Sequence, residues 1–304
     1  MTEQSTTSSS SLSSPVSALD RAEGHQRSES ARIWKRFRRY KPGMAGGIIV
    51  VILVFIAIFA PLIAPYSPTE KVGRRGTAPS SEFLLGNDEI GRDVLSRLIY
   101  GTRVALIVGI GAMSIALTIG VAIGAMAGFF GNKVDLALSR LIDTLMAFPL
   151  LALLITLAAL FSPSLFNVVI VIGVTVWASY ARVVRADIMS LRERDFVLAA
   201  RSIGVGNARI IVRHMLPNVV GPIIVLASLD VGSIIILESA LSFLGLGIQP
   251  PTPSWGGMLA AGRSLMRNAP HIAVAPGIAI TITVLAFNLL GDGLRDALDP
   301  RQRD

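Results

Sequence analysis

Residues 43–64 read GMAGGIIVVILVFIAIFAPLIA, without a single charged side chain. A helix rises about 1.5 Å per residue, so roughly 20 such residues cross the apolar layer of a bilayer. The stretch is a membrane span, and it decides the fold class because more runs of the same kind follow. Residues 104–132 and 144–181 also lack Asp, Glu, Lys and Arg. The second of these is too long for one crossing, and Ser162-Pro163-Ser164 divides it into spans near 136–161 and 167–185. Runs at 218–245, interrupted by Asp230 and Glu238, and at 271–290 complete the set. The expected fold is an all-α polytopic membrane protein with six transmembrane helices.

Composition supports this. The chain has 304 residues, 52% hydrophobic and 16% charged. A soluble domain carries roughly 25% charge, so this chain has too little to cover a water-facing surface. Cysteine is absent, which excludes disulfides and thiolate metal sites. The histidines, His25, His214 and His271, are too scattered to suggest a metal cluster. Residues 1–30 are rich in Ser, Thr and Gln and read as a disordered cytoplasmic tail. They do not form a secretory signal peptide, since the first apolar run begins only after Pro42 and acts as an uncleaved anchor.

Twenty-eight Lys and Arg against 20 Asp and Glu leave a net charge of +8. The position of that charge gives the orientation. Eight basic residues precede the first span, and seven arginines lie between Arg182 and Arg213. In the loop at 66–102, Glu70, Glu82, Asp88, Glu89 and Asp93 nearly cancel the basic residues. The positive-inside rule then puts both termini in the cytoplasm and this loop outside. Dispersed over separate inner loops, the basic residues need no nucleic acid to explain them.

Just before the first span, residues 31–41 read ARIWKRFRRYK. At helical spacing Ile33, Trp34, Phe37 and Tyr40 share one face and the cations surround the other. That is the pattern of a helix lying along anionic headgroups, which makes membrane lipids a partner. A basic flank with an aromatic belt would give the same residues without a helix. In the second span Ala112, Ala116, Gly120, Gly124 and Gly128 place a small residue at every fourth position, a stripe that admits close helix packing. The stripe does not say whether its neighbour is in this chain or another.

Asp230 and Glu238 stand inside the fifth span, where a carboxylate is costly and so a functional candidate. Three roles fit: a proton or cation relay, the lining of a wet solute path, or structural pairing, for instance of Glu238 with Ser242 one turn on.

The long inner loop, 188–217, carries the most information. Asp195 is a plausible N-cap for a short helix in which Phe196, Ala199, Ala200 and Ile203 recur on one face, with Arg201 beside them. Gly204 and Gly206 would end it in a turn. A second short helix puts Ala208, Ile211, Val212 and Met215 on one face until Pro217 stops it. Two amphipathic helices in a cytoplasmic loop must bury their apolar faces, against a membrane surface or in a groove on a soluble partner.

This loop resembles the EAA loop of the inner-membrane permeases of ABC importers. Ala199-Ala200, Gly204 and Leu216-Pro217 hold the motif's spacing, while Leu198 replaces its glutamate and His214 its isoleucine. Three further segments resemble the dipeptide/oligopeptide/nickel permeases, and within them the second, C-type subunit. They are LGNDEIGRDVLSRLIYGTR at 85–103, ESALSFLGLGIQPPTPSWG at 238–256 and NLLGDGLRDALDP at 288–300. The resemblance runs from about Trp34 to the C-terminus. It implies a type I ABC importer permease fold, with an interfacial helix and first span at 31–65 and an extracytoplasmic loop at 66–102. A five-helix core follows at 103–292, then a cytoplasmic tail at 293–304. It also implies a bacterial inner-membrane subunit whose partners are a B-type permease, two cytoplasmic ATPase subunits or domains and an extracytoplasmic solute-binding protein.

In that family the EAA helix couples to the ATPase, a role that Asp195, Phe196, Ala199, Ala200, Arg201, Ile203, Gly204, Leu216 and Pro217 would carry here. Asp230, Glu238 and Ser242 are the candidates for the solute path. No G-x-x-x-x-G-K-[ST] motif occurs, so the resemblance implies that this chain binds no cofactor and that ATP and Mg belong to its partners. The competing class is an ion-coupled secondary transporter working through Asp230 and Glu238.

Overall fold

The computed structural model describes residues 31–298. The tail expected at 1–30 and the last residues of the tail expected at 293–304 lie outside them. Regular structure among the described residues is helical, with one isolated bridge between Asn87 and Asp93. Helix α1 covers 31–39 and turns at Tyr40, whose backbone is extended, into α2 (Lys41–Ile63) with Pro42 in its first turn. An ordered loop leads to α3 (Val94–Phe130). A bent pair follows, α4 (Asn132–Ala147) and α5 (Leu150–Ala159), then α6 (Leu165–Arg192) and the short α7 (Asp195–Ser202). The chain continues through α8 (Asn207–Arg209) and a π-helical turn, Ile210–Met215, into α9 (Leu216–Phe243). Helices α10 (Trp255–Gly262) and α11 (His271–Leu298) complete it.

Five helices are long and apolar enough to cross a membrane, and the α4–α5 pair makes six if counted as one broken span. The six expected runs are therefore present, with three differences. The third is not straight: α4 and α5 meet at 88° across Phe148-Pro149, where the missing N–H and the ring of Pro149 break the ladder. Helix α3 starts ten residues before its charge-free core, at Val94, so the loop expected at 66–102 ends at 93. Asp93 is the reason, since its carboxylate accepts from the Ser96 N–H at 2.7 Å and caps the helix. Finally, α11 runs to Leu298, past the start of the expected tail.

Helix α3 packs most extensively against α6, and its small-residue stripe is the reason. A Cβ on Gly120 would lie 2.7 Å from the Tyr180 Cβ, and one on Gly124 2.5 Å from the Ala181 carbonyl. The neighbour of the stripe is thus in this chain. Around this contact a core of Val108, Ala112, Ile172, Trp177, Ile234 and Ile235 joins α3, α6 and α9. A second core lies under the loop between α6 and α9, where Phe129, Val184, Ile188, Val197, Ile210, Met215 and Val219 pack together.

Candidate functional site

The loop at 188–217 is seated on that second core. Val197 and Ala200 of α7 turn inward, 0% and 6% exposed, while Phe196 and Ile203 stand out at 42% and 81%. Ala199 is also exposed. The expected four-residue stripe is therefore divided: Ala200 belongs to the seated face, and Phe196, Ala199 and Ile203 make the free one. Asp195 is not the N-cap. Arg194 holds that position with an extended backbone, and Asp195 is the first helical residue, its carboxylate at the positive end of the helix.

The end of α7 is built by Gly204. Its φ of +78° is a conformation that L side chains resist, and it lets two bonds close. The Gly204 N–H donates to the Arg201 carbonyl at 3.0 Å and the Val205 N–H to the Ala200 carbonyl at 3.0 Å, a Schellman turn. The guanidinium of Arg201 lies over the Phe129 ring, 4.8 Å from its centre. A cation–π contact of this kind contributes about 0.5–2 kcal/mol, depending on desolvation. It ties α7 to the last turn of α3. Sequence reasoning could not have found it, because 72 positions separate the pair and no pattern links them.

The second short helix is not a separate element, and Pro217 does not stop it. From Asn207 to Phe243 the chain is one continuous helical path of 37 residues. Pro217 cannot donate, and its ring would collide with the carbonyl four residues back in an α-helix. The π turn resolves this by widening the ladder, so that Leu216 N–H bonds to the Ile211 carbonyl five residues back. The buried residues follow the wider step: Ile210, Met215 and Val219 are at most 2% exposed. Val212, expected on the apolar face, is 64% exposed, and Ala208 is also exposed. Leu216 is half-buried and Pro217 exposed.

The acids of the fifth span both have partners. The Tyr180 hydroxyl on α6 donates to Asp230 at 2.6 Å, crossing from one helix to the next. Glu238 is 1% exposed and accepts from the Ser242 hydroxyl at 2.7 Å and the Ser239 hydroxyl at 3.3 Å. Ser242 in turn accepts the Ile248 N–H at 3.1 Å, which fastens the turn after α9. For Glu238 and Ser242 the geometry is that of structural pairing. Ser242 also borders a cavity of about 220 Å³ that Glu89, Arg92 and Arg97 line from the loop before α3. There Arg92 bridges Asp88 and Glu89, each at 2.6 Å, with Arg92 and Asp88 buried and Glu89 part-exposed. On the other side of the same region, the Trp255 indole donates to the Leu98 carbonyl at 3.0 Å, which locks α10 onto α3.

The described fold is a bundle of apolar helices with a short helix, one face seated and one exposed, in the loop between α6 and α9. Residues 120–304 match the family of binding-protein-dependent transport system inner membrane components, and the chain belongs to it. Residues 28–79 match the N-terminal transmembrane domain of oligopeptide transport permease C. Within the family, the chain is 42% identical over 278 residues to the di/tripeptide transport system permease protein DppC of Pseudomonas aeruginosa (strain UCBPP-PA14), covering 89% of this chain and 92% of that one. It is 42% identical over 271 residues to the dipeptide transport system permease protein DppC of Alkalihalophilus pseudofirmus, with 89% of both chains covered. Against the glutathione transport system permease protein GsiD of Pectobacterium atrosepticum it is 42% identical over 270 residues, covering 88% and 90%. The fold is that of a type I ABC permease, and the chain is an inner-membrane component of an ABC transport system that works with a binding protein and ATPases. This membership displaces the ion-coupled carrier.

Proposed function

We propose that the chain is the C-type permease subunit of an ATP-driven importer, taking di- or oligopeptides or a related small solute across the bacterial inner membrane. It pairs with a B-type permease as a heterodimer, and both its termini are cytoplasmic, as the charge distribution favours. The solute class rests on the relatives, whose names give dipeptides, tripeptides and glutathione. In this reading α7 is the coupling helix and catalyses nothing itself. The supporting observation is its divided surface: Phe196 and Ile203 are exposed on a helix whose other face is locked into the chain by Val197, Ala200 and Arg201. A large apolar side chain on a water-facing helix needs a groove to enter, and the family supplies one on its ATPases.

Closure of two ATPases would then push α7 as a rigid handle. The push reaches α3 through Arg201 and Phe129, and α9 through the π turn. ATP and Mg are bound by the partners, and the residues of this chain only receive and pass on the displacement. The outer loop before α3 and the segment holding α10 would face the binding protein.

The test is uptake of a labelled dipeptide by proteoliposomes holding the full complex. Uptake should require ATP and the binding protein, and Phe196→Asp with Ile203→Asp should abolish it while the permease pair stays assembled. Uptake that persists without ATP and follows a proton gradient would overturn the reading.

A further inference from the structure

The transport reading does not use helix α1. Six of its eleven surrounding positions, Arg32, Lys35, Arg36, Arg38, Arg39 and Lys41, are cationic, and no Asp or Glu occurs from Ser30 to Thr69. Lys35, Arg38, Arg39 and Lys41 are exposed to solvent.

Two features fix where this charge sits. The first is the corner at Tyr40, where φ of −85° and ψ of 92° end α1 and let α2 set off in a new direction. The second is Phe37, 8% exposed, whose ring reaches into the crossing of α2 and α11. A Cβ on Gly293 would lie 2.9 Å from that ring, and one on Gly47 3.7 Å from it. At the same crossing the backbones touch, since a Cβ on Gly43 would be 2.8 Å from the Gly293 Cα. Helix α1 therefore cannot drift from the bundle and is held where the first span enters the membrane. Its aromatic side stays at that level: Trp34 stacks on Phe37 with ring centres 5.9 Å apart and is itself 55% exposed. An exposed indole beside a cluster of cations, at the mouth of a membrane span, fits the boundary between acyl chains and headgroups.

We propose that residues 31–41 form a binding face for anionic phospholipid headgroups, which clamps the α2–α11 crossing to the surface of the bilayer. Lys35, Arg38, Arg39 and Lys41 supply the positive charge, Trp34 enters the upper acyl region, and Phe37 transmits the hold to Gly293. Neutral lipids would satisfy Trp34 but leave the cations without partners. The inference stands apart from the solute and from the coupling role of α7, because its test reads lipid contact directly.

The chain offers its own probe. It has three tryptophans, and Trp177 and Trp255 are 6% and 2% exposed, which leaves Trp34 as the one open to lipid. The full complex is reconstituted in phosphatidylcholine bilayers in which a fixed fraction of lipid is brominated on the upper acyl chain. The brominated lipid is either phosphatidylglycerol or phosphatidylcholine, and Trp34→Phe gives the background to subtract. Brominated phosphatidylglycerol should be enriched around Trp34 about fivefold, the factor that one well-placed basic residue at an anionic surface supplies. The excess should vanish when Lys35, Arg38, Arg39 and Lys41 are all changed to Gln, and survive in Arg38→Lys/Arg39→Lys.

Equal quenching by the two lipids overturns the proposal, as does an excess that persists in the glutamine variant. A photo-crosslinker placed at Arg39 separates the remaining possibility. Labelled phospholipid is the expected product, and labelled ATPase would assign the cations to a protein partner instead.

Discussion

Replacing Gly204 isolates the turn that ends α7 from everything around it. A Cβ built there meets no atom within 4 Å, so a side chain starts into open space. The whole cost is in the backbone, which at φ +78° is left-handed. An L residue pays about 1–2 kcal/mol for that conformation, which shifts the closed turn about 5- to 30-fold toward open forms. Asn, which tolerates the region, should cost least, Ala more, and β-branched Val most. When the turn opens, the bonds from Gly204 to Arg201 and from Val205 to Ala200 are lost, and Ile203 no longer holds its place. In reconstituted complexes, the ATPase activity stimulated by solute and binding protein should therefore fall in the order Gly, Asn, Ala, Val. The amount of permease in the membrane should not change. Gly124→Val provides the contrast: its side chain would be driven into the Ala181 carbonyl, 2.5 Å from the Cβ alone, so the protein itself should be lost. Stimulation by the Gly204→Val complex equal to that of the parent would refute the role given to the turn, and so would a matching drop in membrane abundance.

Other expectations follow from single contacts. Arg201→Ala and Phe129→Leu should each weaken stimulated ATPase activity, and the double variant should lose less than the sum of the two, since their shared cation–π contact of about 0.5–2 kcal/mol is removed only once; additive losses in the double-mutant cycle would exclude the link. Glu238→Gln should preserve assembly, whereas Glu238→Leu should lower the melting temperature of the purified permease pair, because burying Ser242 without its partner costs about 1–3 kcal/mol. An unchanged melting temperature in the leucine variant would remove that pairing from the stability of the fold. Pro217→Ala restores an N–H donor to the π turn and should allow the α register to close, moving Met215 off the second core. Cysteine crosslinking between positions 215 and 188 should then decline, and an unaltered yield would mean that the proline does not hold the turn open.

The spans were legible because hydropathy is a sum over many residues, and no single neighbour can reverse it. The small-residue stripe on α3 was legible for a related reason: only a close helix explains a small side chain at every fourth place, although which helix depended on the fold. The direction of α7 was harder to read. Phe196, Ala199, Ala200 and Ile203 do share an arc, but Val197 is the residue the core takes, and it draws Ala200 with it. Periodicity tells which residues are neighbours on a helix and not which of two apolar arcs will be seated. Likewise, Asp230 and Glu238 announced themselves as carboxylates in an apolar run, while the hydroxyl of Tyr180 that reaches Asp230 comes from 50 residues away. Long-range polar pairs leave no trace in a single sequence.

The π turn is what joins the loop and the fifth span into one helix. Read at α-helical spacing, the residues before Pro217 form a short helix that the proline ends. A π turn advances the pattern by five, so Ile210 and Met215 bury together and the helix passes through. Its consequence is mechanical. A stop at Pro217 would have made a hinge between loop and span, and a push on the loop would have been absorbed there. Thirty-seven continuous helical residues, about 55 Å at 1.5 Å each, instead connect the end of the Gly204 turn to the turn fastened by Ser242. In the proposed coupling role, a displacement of α7 passed across the Gly204 turn would reach Asp230 and Glu238 along one helix, while Arg201 would carry it to α3. Proline here does not end the helix; by forcing the wider turn, it sets which face of α9 is joined to the second core.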